Sequence, residues 1–160
     1  MMTLSQKIRQ GIQSKACLVT GNMEQRGCRV DMAGFPKSRL VIDFDESGSP
    51  IDTNKTRPDY LVVVDSCNGS AWVLVLELKS GKVSADKVVK QLQAGASAAE
   101  KLVPKNQQLN FRPVLYYARM TAGNRLKLRE KQSRINFRGK QKAVRLERCG
   151  SQLAEVLKRP

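Results

Sequence analysis

Histidine is absent from the 160-residue sequence. That excludes imidazole general-base catalysis, Ser-His-Asp and Cys-His nucleophile pairs, and histidine-ligated zinc or haem. Acids are scarce beside bases: 14 Asp and Glu stand against 29 Lys and Arg, a formal net charge of +15. Such a surplus repels itself in a compact chain, and a polyanion relieves the repulsion. Nucleic acid is the first candidate partner and an anionic membrane surface the second. None of the four cysteines (Cys17, Cys28, Cys67 and Cys149) forms a C-x-x-C pair, which argues against a zinc ribbon or a thioredoxin-like site. Four cysteines are too few for a disulfide scaffold in a chain of this size, so the thiols are expected to be small buried hydrophobes in a reducing compartment. Long apolar runs are also missing. The densest, residues 71–76, is far too short to span a bilayer, and residues 1–16 are polar with no signal core. These absences predict a soluble cytoplasmic protein. Apolar residues make up 41% of the chain, enough to build a core, and the length suits one domain over residues 1–160.

Apolar residues four apart (Leu4, Ile8, Ile12, Ala16) predict an amphipathic helix over residues 4–18, with Thr3 as a cap. Residues 21–37, punctuated by Gly21, Gly27, Gly34 and Pro36, read as loop with a short strand near 28–32. Residues 39–45 alternate as a strand, and 46–57 form a connecting loop. Residues 60–65 and 71–79 are Val- and Leu-rich at odd and even positions alike, as in strands buried on both faces. Asn68-Gly69 between them is a strong hairpin signal. Residues 84–102 read as a helix capped by Ser84 and stopped by Pro104. Strands over 112–119 and 142–148 and a short helix over 153–157 complete the chain. The expected architecture is α/β, a central mixed β-sheet flanked by helices on both sides.

Two points in this frame carry chemistry. Pro58-Asp59 opens one central strand and Glu77-Leu78-Lys79 closes the next. Glu77 and Lys79 are two apart, so they share one face of the strand with Val73 and Val75. A carboxylate and an ammonium at the end of an apolar strand face imply a use for them. Two carboxylates can hold a hard cation such as Mg²⁺, and a lysine beside them can orient a water or stabilise developing charge. None of this needs histidine. A strict two-residue Asn68-Gly69 loop would oppose Asp59 to Leu78 and turn Glu77 to the other side. An odd loop or a bulge would oppose Asp59 to Glu77 on one face, and the chemistry requires that second register.

Pro58-Asp59, a hairpin, then Glu77-Leu78-Lys79 resembles the PD-(D/E)XK nuclease superfamily, which includes restriction endonucleases and Holliday junction resolvases. The resemblance implies a restriction-endonuclease-like fold and a Mg²⁺-dependent endonuclease, with Mn²⁺ as a substitute metal. It implies that Asp59 and Glu77 hold the metal together with the Leu78 backbone carbonyl, and that Lys79 is catalytic. Members often carry a Gln on the following helix; Gln91 lies beside the apolar stripe and Gln93 points away, so Gln91 is the expected one. They also often carry an acid on the first helix. Here Glu24 is the only acid before Asp31, and Asp43 and Asp45 compete with it as a third ligand. Such nucleases often work as dimers, and so small a chain can also borrow specificity from a partner protein.

Residues 119–148 hold eleven cations and two acids, Glu130 and Glu147. This basic segment is expected to contact phosphates, DNA being favoured over RNA, through Arg119, Arg125, Arg134, Arg138 and Lys140, with Lys82 nearer the motif. Phe137, inside the segment, either stacks on a base or anchors the loop. Trp72 is expected in the core. Two other readings share the charge: a non-catalytic nucleic-acid-binding protein, RNA- or ribosome-associated, and a basic protein bound to an acidic partner or membrane surface.

Overall fold

The computed structural model describes residues 2–12, 14–67 and 70–158, with the backbone alone at Cys67. The Asn68-Gly69 turn and the Cys67 thiol therefore lie outside the described residues, as does Gln13 of the expected first helix.

Five strands make the central sheet, in the order β3-β4-β5-β6-β9. They are β3 (Arg39–Asp43), β4 (Tyr60–Cys67), β5 (Ser70–Lys79), β6 (Leu109–Tyr117) and β9 (Arg145–Arg148). β3, β4 and β5 run antiparallel; β6 and β9 add in parallel beyond β5. The sheet is therefore mixed, as the pattern predicts. The long crossover between β5 and β6 is α2 (Ala85–Leu102), the connection a parallel pair requires.

The side-chain alternation of the strands divides the core in two. Leu61, Val63, Val73, Val75, Leu115 and Tyr117 face α1 (Leu4–Gly11), α2 and α3 (Ala122–Arg129). Val62, Val64, Trp72, Leu74, Leu76, Val114 and Tyr116 face a small hairpin, β1 (Glu24–Gln25) with β2 (Cys28–Arg29), and a C-terminal 3-10 turn, Leu153–Leu157. The three α-helices among the described residues thus cover one face. The expectation of helices on both sides fails because the last apolar cluster winds only as a 3-10 turn. Trp72 is buried at 7% exposure, as expected.

The first helix is also shorter than its periodicity suggests. Thr3 and Gln6 form a capping box, but α1 ends at Gly11 and Lys15–Cys17 is a separate 3-10 turn. Residues spaced strictly by four drift about 40° per step, so Leu4 and Ile8 share a buried stripe that Ala16 leaves. Within the basic segment, α3 is followed by a hairpin of β7 (Ile135–Phe137) and β8 (Lys140–Lys142). The expected strand over 142–148 is β9 alone.

Two cysteines contradict the free-thiol expectation. Cys28 and Cys149 form a disulfide across a sequence separation of 121. β9 joins the parallel edge and carries Cys149 beneath the β1–β2 hairpin, a meeting that sequence spacing does not reveal. Cys17 is free and buried. No helix among the described residues is long and apolar enough to cross a membrane.

Candidate active site

The register of β4 against β5 decides whether a site exists. Tyr60 opposes Leu76 and Val64 opposes Trp72, so opposed residue numbers total 136; at Cys67 opposite Ser70 they total 137. A bulge between Val64 and Cys67 absorbs the difference. Continued by one residue, this register sets Asp59 against Glu77 on the helix-covered face.

Asp59 is fixed from both sides although it precedes β4. Its N–H donates to the Leu76 carbonyl and its carbonyl accepts from the Phe44 N–H, both at 3.0 Å. Its Oδ2 accepts a 2.7 Å bond from the Leu78 N–H. An extended strand directs one residue's N–H and C=O to the same edge, so the Leu78 carbonyl points to the edge where Asp59 sits. α2 approaches closely here because Gly95 has no side chain. A β-carbon on it would meet Pro58 Cγ at 2.6 Å and Val75 Cγ1 at 3.1 Å.

Glu77 is 2% exposed. Its Oε2 is 2.9 Å from Lys79 Nζ, while its Oε1 is buried with no donor. Burial raises the Glu77 carboxyl to about 8; the nearby Asp59 charge adds to the rise and Lys79 opposes it. Burial raises Asp59 too, outweighing the Leu78 N–H bond and the nearby Lys79, which lower it. Two neighbouring carboxyls on one strand face, in a poorly solvated corner, resist ionising together. One proton or one cation relieves them.

The pair opens into a cleft of about 820 Å³, bounded by the β3–β4 loop, the β1–β2 hairpin and the start of α2. Arg26, Lys55, Arg57, Lys82, Lys87 and Lys90 line it with Lys79. Against these seven cations stand Asp45, Asp59 and Glu77. Gln91 also lines the cleft, and its Oε1 is buried without a partner. Gln93 instead exchanges two hydrogen bonds with the Asn136 backbone and holds β7. The helical-wheel choice between the two therefore agrees with their positions.

The third carboxylate does not join the pair. Glu24 is exposed on the hairpin that covers the opposite face, and its neighbours Gln25 and Arg26 line the cleft in its place. Its backbone is engaged by the Tyr60 hydroxyl. Asp43 belongs by strand parity to the face away from Asp59. Asp45 does line the cleft, but Arg57 Nε holds it at 2.9 Å. No group of three or more His, Cys, Asp or Glu is placed to hold a metal among the described residues. Two carboxylates still suit Mg²⁺, which commonly takes one or two from protein and the rest from water and substrate phosphates. The orphaned Glu77 Oε1 and the raised carboxyl pair fit such an ion.

The basic residues divide into three sets. Lys82 and Arg119 come together beside the site around Val83, Met120 and Thr121. Next to them, Tyr117 pairs with Lys79 across the sheet, and the guanidinium groups of Arg125 and Arg148 each stand 5.4 Å from the centre of its ring. Lys140 lies at the far end of the sheet, and Arg134 is exposed. Arg138 is half-buried and acts as a clamp, and it also lines a cleft at that far end of the sheet. Its guanidinium donates to the carbonyls of Gln107 (2.5 Å) and Pro104 (2.6 Å), and its N–H donates to Glu100. Phe137 stacks on Phe111 with centroids 4.3 Å apart, settling it as an anchor. Sequence reasoning missed Gln25, Arg26 and the β3–β4 loop as cleft walls; only the folded chain brings these loops over the strand ends. No protein-family model, curated protein or solved structure matches this chain, so the arrangement is read from its own geometry.

Proposed function

We propose that the protein is a metal-dependent nuclease of the PD-(D/E)XK type with a restriction-endonuclease-like core, hydrolysing phosphodiester bonds, DNA being the favoured substrate. The observation that carries this reading is the convergence of Asp59, Glu77 and Lys79 on one strand-end face inside a cation-lined cleft. Asp59 and Glu77, with the Leu78 carbonyl at the same edge, would hold Mg²⁺ or Mn²⁺. Bound there, the ion would supply Lewis-acid polarisation of the phosphodiester and lower the pKa of a water. Lys79 orients the attacking water or stabilises charge developing on the phosphate. Gln91 offers an amide to the same space. Lys82, Lys87 and Lys90 draw the backbone into the cleft.

A single carboxylate pair cuts one strand at a time, so double-strand cleavage would take two copies or a partner protein. The test is cleavage of supercoiled, linear and branched DNA and of RNA, with Mg²⁺, Mn²⁺ or EDTA. Metal-dependent cleavage lost in Asp59→Asn, Glu77→Gln and Lys79→Ala supports the reading. Binding without cleavage on every substrate overturns it in favour of a non-catalytic nucleic-acid-binding protein.

A further inference from the structure

A second cation-lined cleft, of about 670 Å³, lies at the opposite end of the sheet from the carboxylates. The start of β5, at Ala71, lines it, whereas Glu77 lines the first. Six residues of strand separate the two positions, about 20 Å. Besides Arg138, whose guanidinium is engaged by the Gln107 and Pro104 carbonyls, its cations are three lysines: Lys105, after α2, and Lys140 and Lys142 on β8. All three are exposed, and none makes an ion pair among the described residues. The one acid at its edge, Asp65, is occupied by Ser5 and Ser38.

Two of the lysines, Lys140 and Lys142, sit on an anchored hairpin. Lys140 opposes Phe137 and Lys142 opposes Ile135, so both share the face of β7 that packs onto the body. Two residues apart on one strand, they stand about 7 Å from each other. The hairpin that carries them is fixed to α2 by the Arg138 clamp and by the Gln93–Asn136 bonds. Phe111 and Phe137, which border the cleft, are each 4% exposed and stacked on one another. They offer no open ring to a base, so base stacking contributes nothing in this cleft.

We infer that this far cleft is a second nucleic-acid site, binding the phosphodiester backbone without base readout about 20 Å from the carboxylate pair. It anchors substrate by charge while the first cleft performs the chemistry. That one molecule occupies both clefts rests on the nuclease reading; phosphate binding at the far cleft does not.

The test is fluorescence anisotropy with a DNA duplex of about 24 base pairs in EDTA, where no cleavage interferes, across a salt series. Lys105→Gln, Lys140→Gln and Lys142→Gln are combined, with circular dichroism verifying the fold. If all three contact phosphates, the slope of log K against log salt becomes shallower by up to about 2.7. Affinity falls alike for unrelated sequences. Unchanged affinity and slope in the folded triple variant overturn the inference, as does loss of binding to anionic lipid vesicles with DNA binding intact. A wild-type chain that never cleaves but loses DNA affinity in the triple variant defeats the nuclease reading and leaves the far cleft standing.

Discussion

Gly95 lies against Pro58, so that a β-carbon at position 95 would stand 2.6 Å from the proline ring. The helix thereby presses on the residue that introduces Asp59. Gly95→Ala gains helix propensity but forces the two elements apart, at a cost of about 1–3 kcal/mol. Urea unfolding should register that loss. Cleavage should fall further than the lost stability explains, because Asp59 moves with Pro58. A stabilised, fully active Gly95→Ala would show that this contact does not position the carboxylate.

The carboxyl pair sets a pH dependence with a definite sign. Glu77 is raised from its ordinary 4.5 to about 8, chiefly by burial. Between those values the folded chain keeps a proton that the unfolded chain has lost. This contribution to stability is complete below the unfolded value and disappears as pH rises through the folded one. In EDTA, the Tm of wild type should therefore fall relative to Glu77→Gln from about pH 5 to about pH 9. Mg²⁺ competes with the proton and should raise wild-type Tm more at the alkaline end. An equal Mg²⁺ effect in Glu77→Gln would place the ion elsewhere.

The Cys28–Cys149 disulfide ties the β1–β2 hairpin to the end of the parallel edge, and Cys149 Sγ lies 3.8 Å from the Lys79 carbonyl oxygen. Closing so long a loop restricts the unfolded chain strongly. Cys28→Ser with Cys149→Ser should lower stability by about 2–5 kcal/mol. Reductant should bring wild type to the same unfolding midpoint and leave the double variant unaffected. Coincident midpoints before reduction would mean that the bond contributes nothing.

Arg138 and Arg134, four residues apart, should separate cleanly. Arg138→Ala removes charge-assisted bonds to two carbonyls and should destabilise by about 1–3 kcal/mol. Arg134 is exposed, so Arg134→Ala should change stability by less than about 0.5 kcal/mol. Thermal unfolding of the two variants measures both effects; equal stabilities would rule out the clamp.

The parts of the molecule legible in sequence are those fixed by local pattern. β4 and β5 announce themselves because both faces are apolar, and Gln91 follows from the angular repeat of α2. α3 was hidden because its apolar residues are few and one of them, Leu126, remains 63% exposed. Its purpose is non-local: Asn124 accepts a bond from the Ala85 N–H and caps α2, which Ser84 leaves without a side-chain cap. The disulfide, the clamp by Arg138 and the cleft walls from the β1–β2 hairpin likewise depend on contacts between distant segments. Asp59 and Glu77 lay between these extremes. Their types and spacing were visible, but their common face hung on one residue of register.

That register has an unusual guardian. A strand with one apolar face resists slipping, since a shift of one residue drags its core side chains into water. β4 and β5 are apolar on both faces, and a slipped ladder would still bury valines and leucines. Asp65, beside the bulge and at the far end of β4 from Asp59, supplies the missing discrimination. Its carboxylate accepts from the Ser5 N–H at 2.6 Å and from the Ser5 and Ser38 hydroxyls, and its N–H donates to the Ser38 carbonyl. Burial tends to raise this carboxyl, but the bonds from Ser38 and Ser5 outweigh it and hold it below the ordinary aspartate range. A polar latch at the far end of β4, holding it to α1 and to the start of β3, thus settles an even-or-odd question: whether the carboxylate of Asp59 emerges on the helix-covered face or on the back of the sheet.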